Sequence, residues 1–129
     1  LQVGTDVLAI LEQKGVPFLR TDNFHAAIRE ADAVYMTRIQ DEWDNAKGES
    51  AAIDTRRFKF GPAELALLPP RAIIMHPLPR RDEIAIAVDS DPRAMYWRQM
   101  RNGMWIRTAL IAMTFGCEKR IHDYFRHNH

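Results

Sequence analysis

Two short runs of strand-forming residues constrain this chain more than any other feature. They are AVYMT, from Ala33 to Thr37, and AIIM, from Ala72 to Met75. Each follows a helical pattern, and each runs straight into polar or proline-rich chain. Upstream of the first, Val7, Leu8, Ile10 and Leu11 fall at helical spacing within Thr5 to Lys14. Thr5 or Asp6 suits the N-cap of that helix, and Gly15 suits a stop with positive φ. Val16 to Leu19 reads as a short buried strand, with Pro17 near its start. Thr21 and Asp22 offer a cap for a second helix, Phe24 to Ala31. Gly61 and Pro62 open a further helix, Pro62 to Leu68, which Pro69–Pro70 stops. Helices alternating with strands predict an α/β fold, a mostly parallel sheet flanked by helices.

The remaining chain is less regular. Arg38 to Gly61 is charged and aperiodic, and an irregular segment of ~20 residues is uncommon in a compact domain unless it is functional or mobile. Asp82 to Asp91 is acidic, and Asp91–Pro92 reads as a helix start. Arg93 to Phe115 is helical in pattern, with Asn102–Gly103 predicting a break or kink and Gly116 a stop. The chain should therefore end in long C-terminal helices, followed by a polar, histidine-containing tail from 117 to 129.

Composition excludes several classes. The 129 residues suit one globular domain, and 47% hydrophobic residues exclude a disordered chain. Eighteen Lys+Arg against 17 Asp+Glu leave a net charge of +1, which gives no electrostatic case for nucleic acid or an anionic membrane. No apolar run reaches the roughly 20 residues of a membrane helix. Cys117, the single cysteine, fits a reducing compartment, and a cytoplasmic location is expected. The chain opens on Leu1 without a signal-peptide pattern, so a processed end or a piece of a longer chain is expected.

In an open parallel sheet, ligands bind beyond the carboxyl ends of the strands. Arg38 and Gln40 follow one strand there, and His76-Pro77-Leu78-Pro79-Arg80 follows the other. The planar fork of an arginine matches a carboxylate or phosphate, and Gln40 can donate and accept beside it. The prolines remove backbone donors, leaving carbonyls able to accept from an amide-like NH₂ group. Residues before proline are pushed out of the helical region, and a cis Leu78–Pro79 bond is expected to turn these carbonyls into the cleft that Arg38 faces. A surface ion pair of Arg38 with Asp32 or Glu42, and a plain turn at His76–Pro79, explain the same residues without a ligand. His122, His127 and His129 lack a ligand frame for a metal, and Cys117 lacks an activating neighbour. Met95, Tyr96, Met100, Met104 and Trp105 read as core or subunit contact.

ADAVYMTRIQDE (31–42), AIIMHPLPRRDEI (72–84) and DSDPRAMYWRQMRNGMWIRTALIA (89–112) resemble, in order and spacing, the aspartate carbamoyltransferases. The likeness runs from about Val3 to Gly116 and implies part of the aspartate-binding domain over 1–116. It implies transfer of a carbamoyl group from carbamoyl phosphate to L-aspartate in pyrimidine synthesis, with no cofactor and no metal. It assigns Arg38 and Gln40 to aspartate, and the carbonyls of Pro77 and Leu78 to the carbamoyl NH₂ group. His76, Arg80 and Glu83 would brace the loop, and 43–57 would correspond to a loop that closes over substrate. Family members form catalytic trimers, with regulatory or other pathway subunits as further partners. Their carbamoyl-phosphate domain is absent from this sequence, so these 129 residues alone are expected to be inactive. A non-catalytic homologue or stand-alone binding module is the alternative.

Overall fold

The computed structural model describes residues 3–39 and 58–128. Helices α1 (Thr5–Gln13) and α2 (Phe24–Arg29) lead to strand β1 (Ala33–Tyr35). Helix α3 (Pro62–Leu67), strand β2 (Ile73–Met75) and a 3-10 turn (Ile86–Val88) follow. The chain ends in α4 (Tyr96–Thr114) and α5 (Glu118–Asn128).

β1 and β2 pair in parallel, with Ala33, Val34 and Tyr35 opposite Ile73, Ile74 and Met75. The ladder begins where Ile73 N–H donates to the Asp32 carbonyl at 3.0 Å. It ends where Met36 N–H donates to the Met75 carbonyl at 2.9 Å. Strand alternation turns Val34 and Met36 inward and leaves Tyr35 exposed. Ile74 sits opposite Val34 and is fully buried, in one core with Ile28, Phe60, Leu68, Ala72, Ile84, Val88 and Tyr96. Burying a side chain such as Ile74 contributes about 1.5–3 kcal/mol.

The outer edge of β2 is covered by irregular chain. Ile74 N–H donates to the Arg93 carbonyl, and Met95 N–H to the Ile74 carbonyl, both at 2.8 Å. This pairing moves the start of the long helix. Asp91–Pro92 does not open it, because Asp91 instead accepts from the Arg93 backbone N–H and guanidinium. Residues 93–95 run along β2, and α4 begins only at Tyr96. Arg93 also donates to the carbonyls of Leu68 and Leu65 at 2.8 and 3.1 Å, satisfying acceptors at the end of α3.

Four other expectations need correction, the first being the cap of α2, which is Asn23, accepting from Ala26 N–H at 3.1 Å, rather than Thr21 or Asp22. Val16 to Leu19 forms no strand, and Val16, Phe18 and Leu19 are exposed. Val16 N–H is already spent on the Leu11 carbonyl at 2.9 Å, and Pro17 has none to give. The cap of α1 is Gly4 rather than Thr5 or Asp6. Asn102–Gly103 does not break α4, which runs 19 residues through it. A lone helical glycine costs only about 1 kcal/mol, and no proline enforces a break.

Gly15 and Gly116 do stop their helices, at φ +63° and +60°. At each, the following residue reaches back to a carbonyl five residues earlier, Val16 to Leu11 and Cys117 to Ala112. The tail after Gly116 is helical, with Ile121, Tyr124 and Phe125 at i, i+3 and i+4 of α5, all exposed. Of the residues read as core or contact, Tyr96 is fully buried, whereas Met100, Met104 and Trp105 are exposed.

Candidate functional site

The parallel register fixes where the two polar arms emerge. Tyr35 lies opposite Met75, so Arg38 and Leu78 each follow three residues beyond the last pair, at one end of the sheet. Arg38 is half-buried, and its Nη1 donates to the Ile39 carbonyl at 3.3 Å. Gln40, Glu42 and the segment 43–57 lie outside the described residues.

The second arm is built around His76, 1% exposed. The Leu78 peptide N–H can only donate, so His76 Nδ1 accepts from it, at 2.9 Å. The ring proton therefore sits on Nε2, which lies 2.6 Å from Glu83 Oε1. Glu83 also accepts from the Arg81 N–H with both oxygens, at 3.2 Å. The Leu78–Pro79 peptide is cis, as the sequence led us to expect, and Leu78 takes φ +50°. A leucine in the left-handed region is uncommon and occurs where surrounding contacts over-determine it. Here those contacts are the His76 ring and, behind it, Glu83.

Residues 76–79 hold four carbonyls but only two N–H groups, on His76 and Leu78. Both donors are taken, the first by Gln99 Oε1 at 3.0 Å and the second by His76 Nδ1. The segment is thus rich in acceptors, which suits a ligand presenting N–H groups.

Arg80 turns away into a cluster of its own. Its guanidinium grips both oxygens of Asp89, with Nη2–Oδ2 at 2.6 Å, and Tyr96 donates its hydroxyl to the same carboxylate. The guanidinium carbon lies 5.6 and 5.7 Å from the ring centroids of Tyr96 and Trp97. Arg80 holds the Asp89 carboxyl below the usual aspartate range, and Asp89 in turn raises the Arg80 pKa. Burial pushes the Tyr96 hydroxyl up to about 12, helped by its hydrogen bond to Asp89. Lys59 pairs with Asp82 and lowers its pKa. Phe60 N–H donates to the Glu83 carbonyl and its carbonyl accepts from Ala85 N–H, which ties Phe60 to the 83–85 segment.

Sequence reasoning missed Asp89, Gln99 and Arg93 as contributors. The available signal was the three-residue spacing of Tyr96 and Gln99, which puts both on one face of α4 beneath β2. Cys117 is half-buried, its sulfur 3.5 Å from the Phe115 carbonyl. His122 and His127 lie exposed on α5.

The fold is thus a parallel α/β domain that carries an arginine arm and an acceptor-rich cis-proline arm at one end of its sheet. Residues 2–114 match the family model described as aspartate/ornithine carbamoyltransferase, Asp/Orn binding domain, and the chain belongs to that family. It is 39% identical over 113 residues to the chloroplastic aspartate carbamoyltransferase of Oryza sativa, covering 88% of this chain and 31% of that one. It is 38% identical over 122 residues to the aspartate carbamoyltransferase catalytic subunit of Finegoldia magna, covering 90% of this chain and 38% of the relative. Among solved structures, aspartate transcarbamoylase from Trypanosoma cruzi in complex with carbamoyl aspartate and phosphate superposes with a TM-score of 0.72. That match has 37% identity and covers 86% of this chain and 36% of the other. The chain spans about a third of the length of each of these three relatives.

Proposed function

We propose that this chain supplies the aspartate side of a carbamoyl-transfer site. The reaction joins carbamoyl phosphate and L-aspartate to give N-carbamoyl-L-aspartate and phosphate, within de novo pyrimidine synthesis. The observation that carries this reading is the parallel register, which brings the Arg38 arm and the cis Leu78–Pro79 arm to one end of the sheet. The product-bound trypanosomal structure supports the substrate class.

In this reading the Arg38 guanidinium binds an aspartate carboxylate, with Gln40 beside it. The Pro77 and Leu78 carbonyls accept from the carbamoyl NH₂ group and turn its carbonyl carbon toward the amine. The neutral α-amine of aspartate attacks that carbon, the bond to the phosphate oxygen breaks, and the amine gives up a proton. The work of the protein is positioning and charge stabilisation, as suits the meeting of two anions. His76, Glu83 and Arg80 hold the shape of the loop. The working unit is a cytoplasmic homotrimer with sites completed between subunits.

The test is formation of N-carbamoyl-L-aspartate from the two substrates by the full-length protein carrying this domain. Turnover that follows aspartate and is lost in Arg38→Ala supports the reading. A folded full-length protein without turnover refutes it.

A further inference from the structure

The first backbone donor beyond β2 is satisfied by a side chain, and that side chain also reaches β1. Along the outer edge of β2, Ile74 exchanges hydrogen bonds with Arg93 and Met95. The next N–H on this edge belongs to His76, but the neighbouring chain has by then turned into α4. Gln99 Oε1 takes the place of the missing rung, 3.0 Å from the His76 nitrogen. Its amide nitrogen donates in turn to the Tyr35 hydroxyl at 2.9 Å. Tyr35 closes β1 three residues before Arg38, and His76 stands immediately before Pro77. One amide therefore ties together the roots of both arms.

We propose that Gln99 is a positioning residue that sets the acceptor arm of the carbamoyl-transfer site relative to the Arg38 arm. The inference rests on the functional reading above. Loss of the Gln99 oxygen frees the His76 N–H, and the Met75–His76 peptide, which leads into the arm, loses its fixed plane. The His76 ring still holds Leu78, so the loop keeps its fold but not the aim of its first carbonyl. Substrate contacts tolerate little misplacement.

The experiment compares steady-state kinetics of full-length wild type, Gln99→Met, Gln99→Glu and Tyr35→Phe. Methionine keeps the length and loses both hydrogen bonds. A glutamate still accepts from His76 N–H and from the Tyr35 hydroxyl, which can turn to donate. Gln99→Met should raise KM for carbamoyl phosphate about tenfold, within the range of the two hydrogen bonds it loses, with a smaller change in kcat. Gln99→Glu should recover most of that loss. Tyr35→Phe should shift KM the same way by less, and should add nothing to Gln99→Met. Tyr35 is exposed, so its variant reads the link even where Gln99→Met fails to fold. An unchanged KM in Gln99→Met, or in Tyr35→Phe where that is the variant that folds, overturns the inference with the functional reading intact. A smaller active fraction at unchanged KM marks a packing role and overturns it equally. Inactive, folded wild type overturns the functional reading, and this inference with it.

Discussion

Replacing Asp89 by asparagine should cost this protein about 2 kcal/mol of folding free energy, a figure set between two limits. The Asp89 carboxylate accepts two bonds from Arg80 and one from Tyr96. Breaking a fully buried pair costs about 3–5 kcal/mol, because the surviving charge stays desolvated. An exposed pair contributes about 0–1 kcal/mol. The side chains of Arg80 and Asp89 are 14% and 27% exposed, so the case falls between. Asparagine keeps one acceptor oxygen, which leaves Tyr96 or Arg80 partly satisfied.

The pH dependence follows from the direction of the Asp89 shift. Its folded pKa lies below the ordinary aspartate value of about 3.9, so its contribution is fully present above that pH. It is lost only as pH falls through the lower, folded value. Denaturant unfolding of full-length wild type and Asp89→Asn, from about pH 7 down to about pH 4, should show a constant gap that closes only below this range. A gap under about 0.5 kcal/mol would refute the estimate, since that is the value of an exposed pair. A gap that closes between about pH 5 and 6 would refute the assignment to this carboxylate.

Arg38→Ala in the full-length protein should lower kcat/KM for aspartate by the equivalent of about 2–5 kcal/mol with folding intact, and Arg38→Lys should fail too, since an ammonium lacks the fork. Unchanged aspartate kinetics would remove Arg38 from the site. Ile74→Ala should destabilise the domain by about 2–5 kcal/mol in denaturant unfolding, because Ile74 is fully enclosed between β1 and the 93–95 segment. Residues 1–129 expressed alone should self-associate in sedimentation experiments, because α4 exposes Trp97, Met100, Trp105, Ile106 and Leu110.

The sheet was legible because its signals are local. Val34 and Met36 alternate with exposed neighbours, and AIIM is short, apolar and closed by prolines. The two helix stops were legible because only glycine takes positive φ cheaply. The cis bond followed from a proline-flanked leucine at a strand end. What stayed hidden depends on contacts distant in sequence. Gln99 meets His76 across 23 residues, and the helical spacing that puts it on the face of Tyr96 does not say which backbone donor it meets. The start of α4 was misjudged because Asp91–Pro92 carries a sound capping pattern, which pairing of 93–95 with β2 overrides. Val16 to Leu19 has strand composition, but strands need neighbours, and none lies beside it among the described residues.

The closed outer edge of β2 also gives the sheet a direction of growth. An edge strand with open N–H and C=O groups invites pairing with foreign chains. The outward groups of Ile74 on β2 are engaged by Arg93 and Met95, and the His76 N–H just beyond by Gln99, so a further strand has no purchase there. β1 has no second neighbour among the described residues. Any strand contributed from elsewhere must therefore add beside β1, making β2 the terminal rail of a sheet that widens one way only.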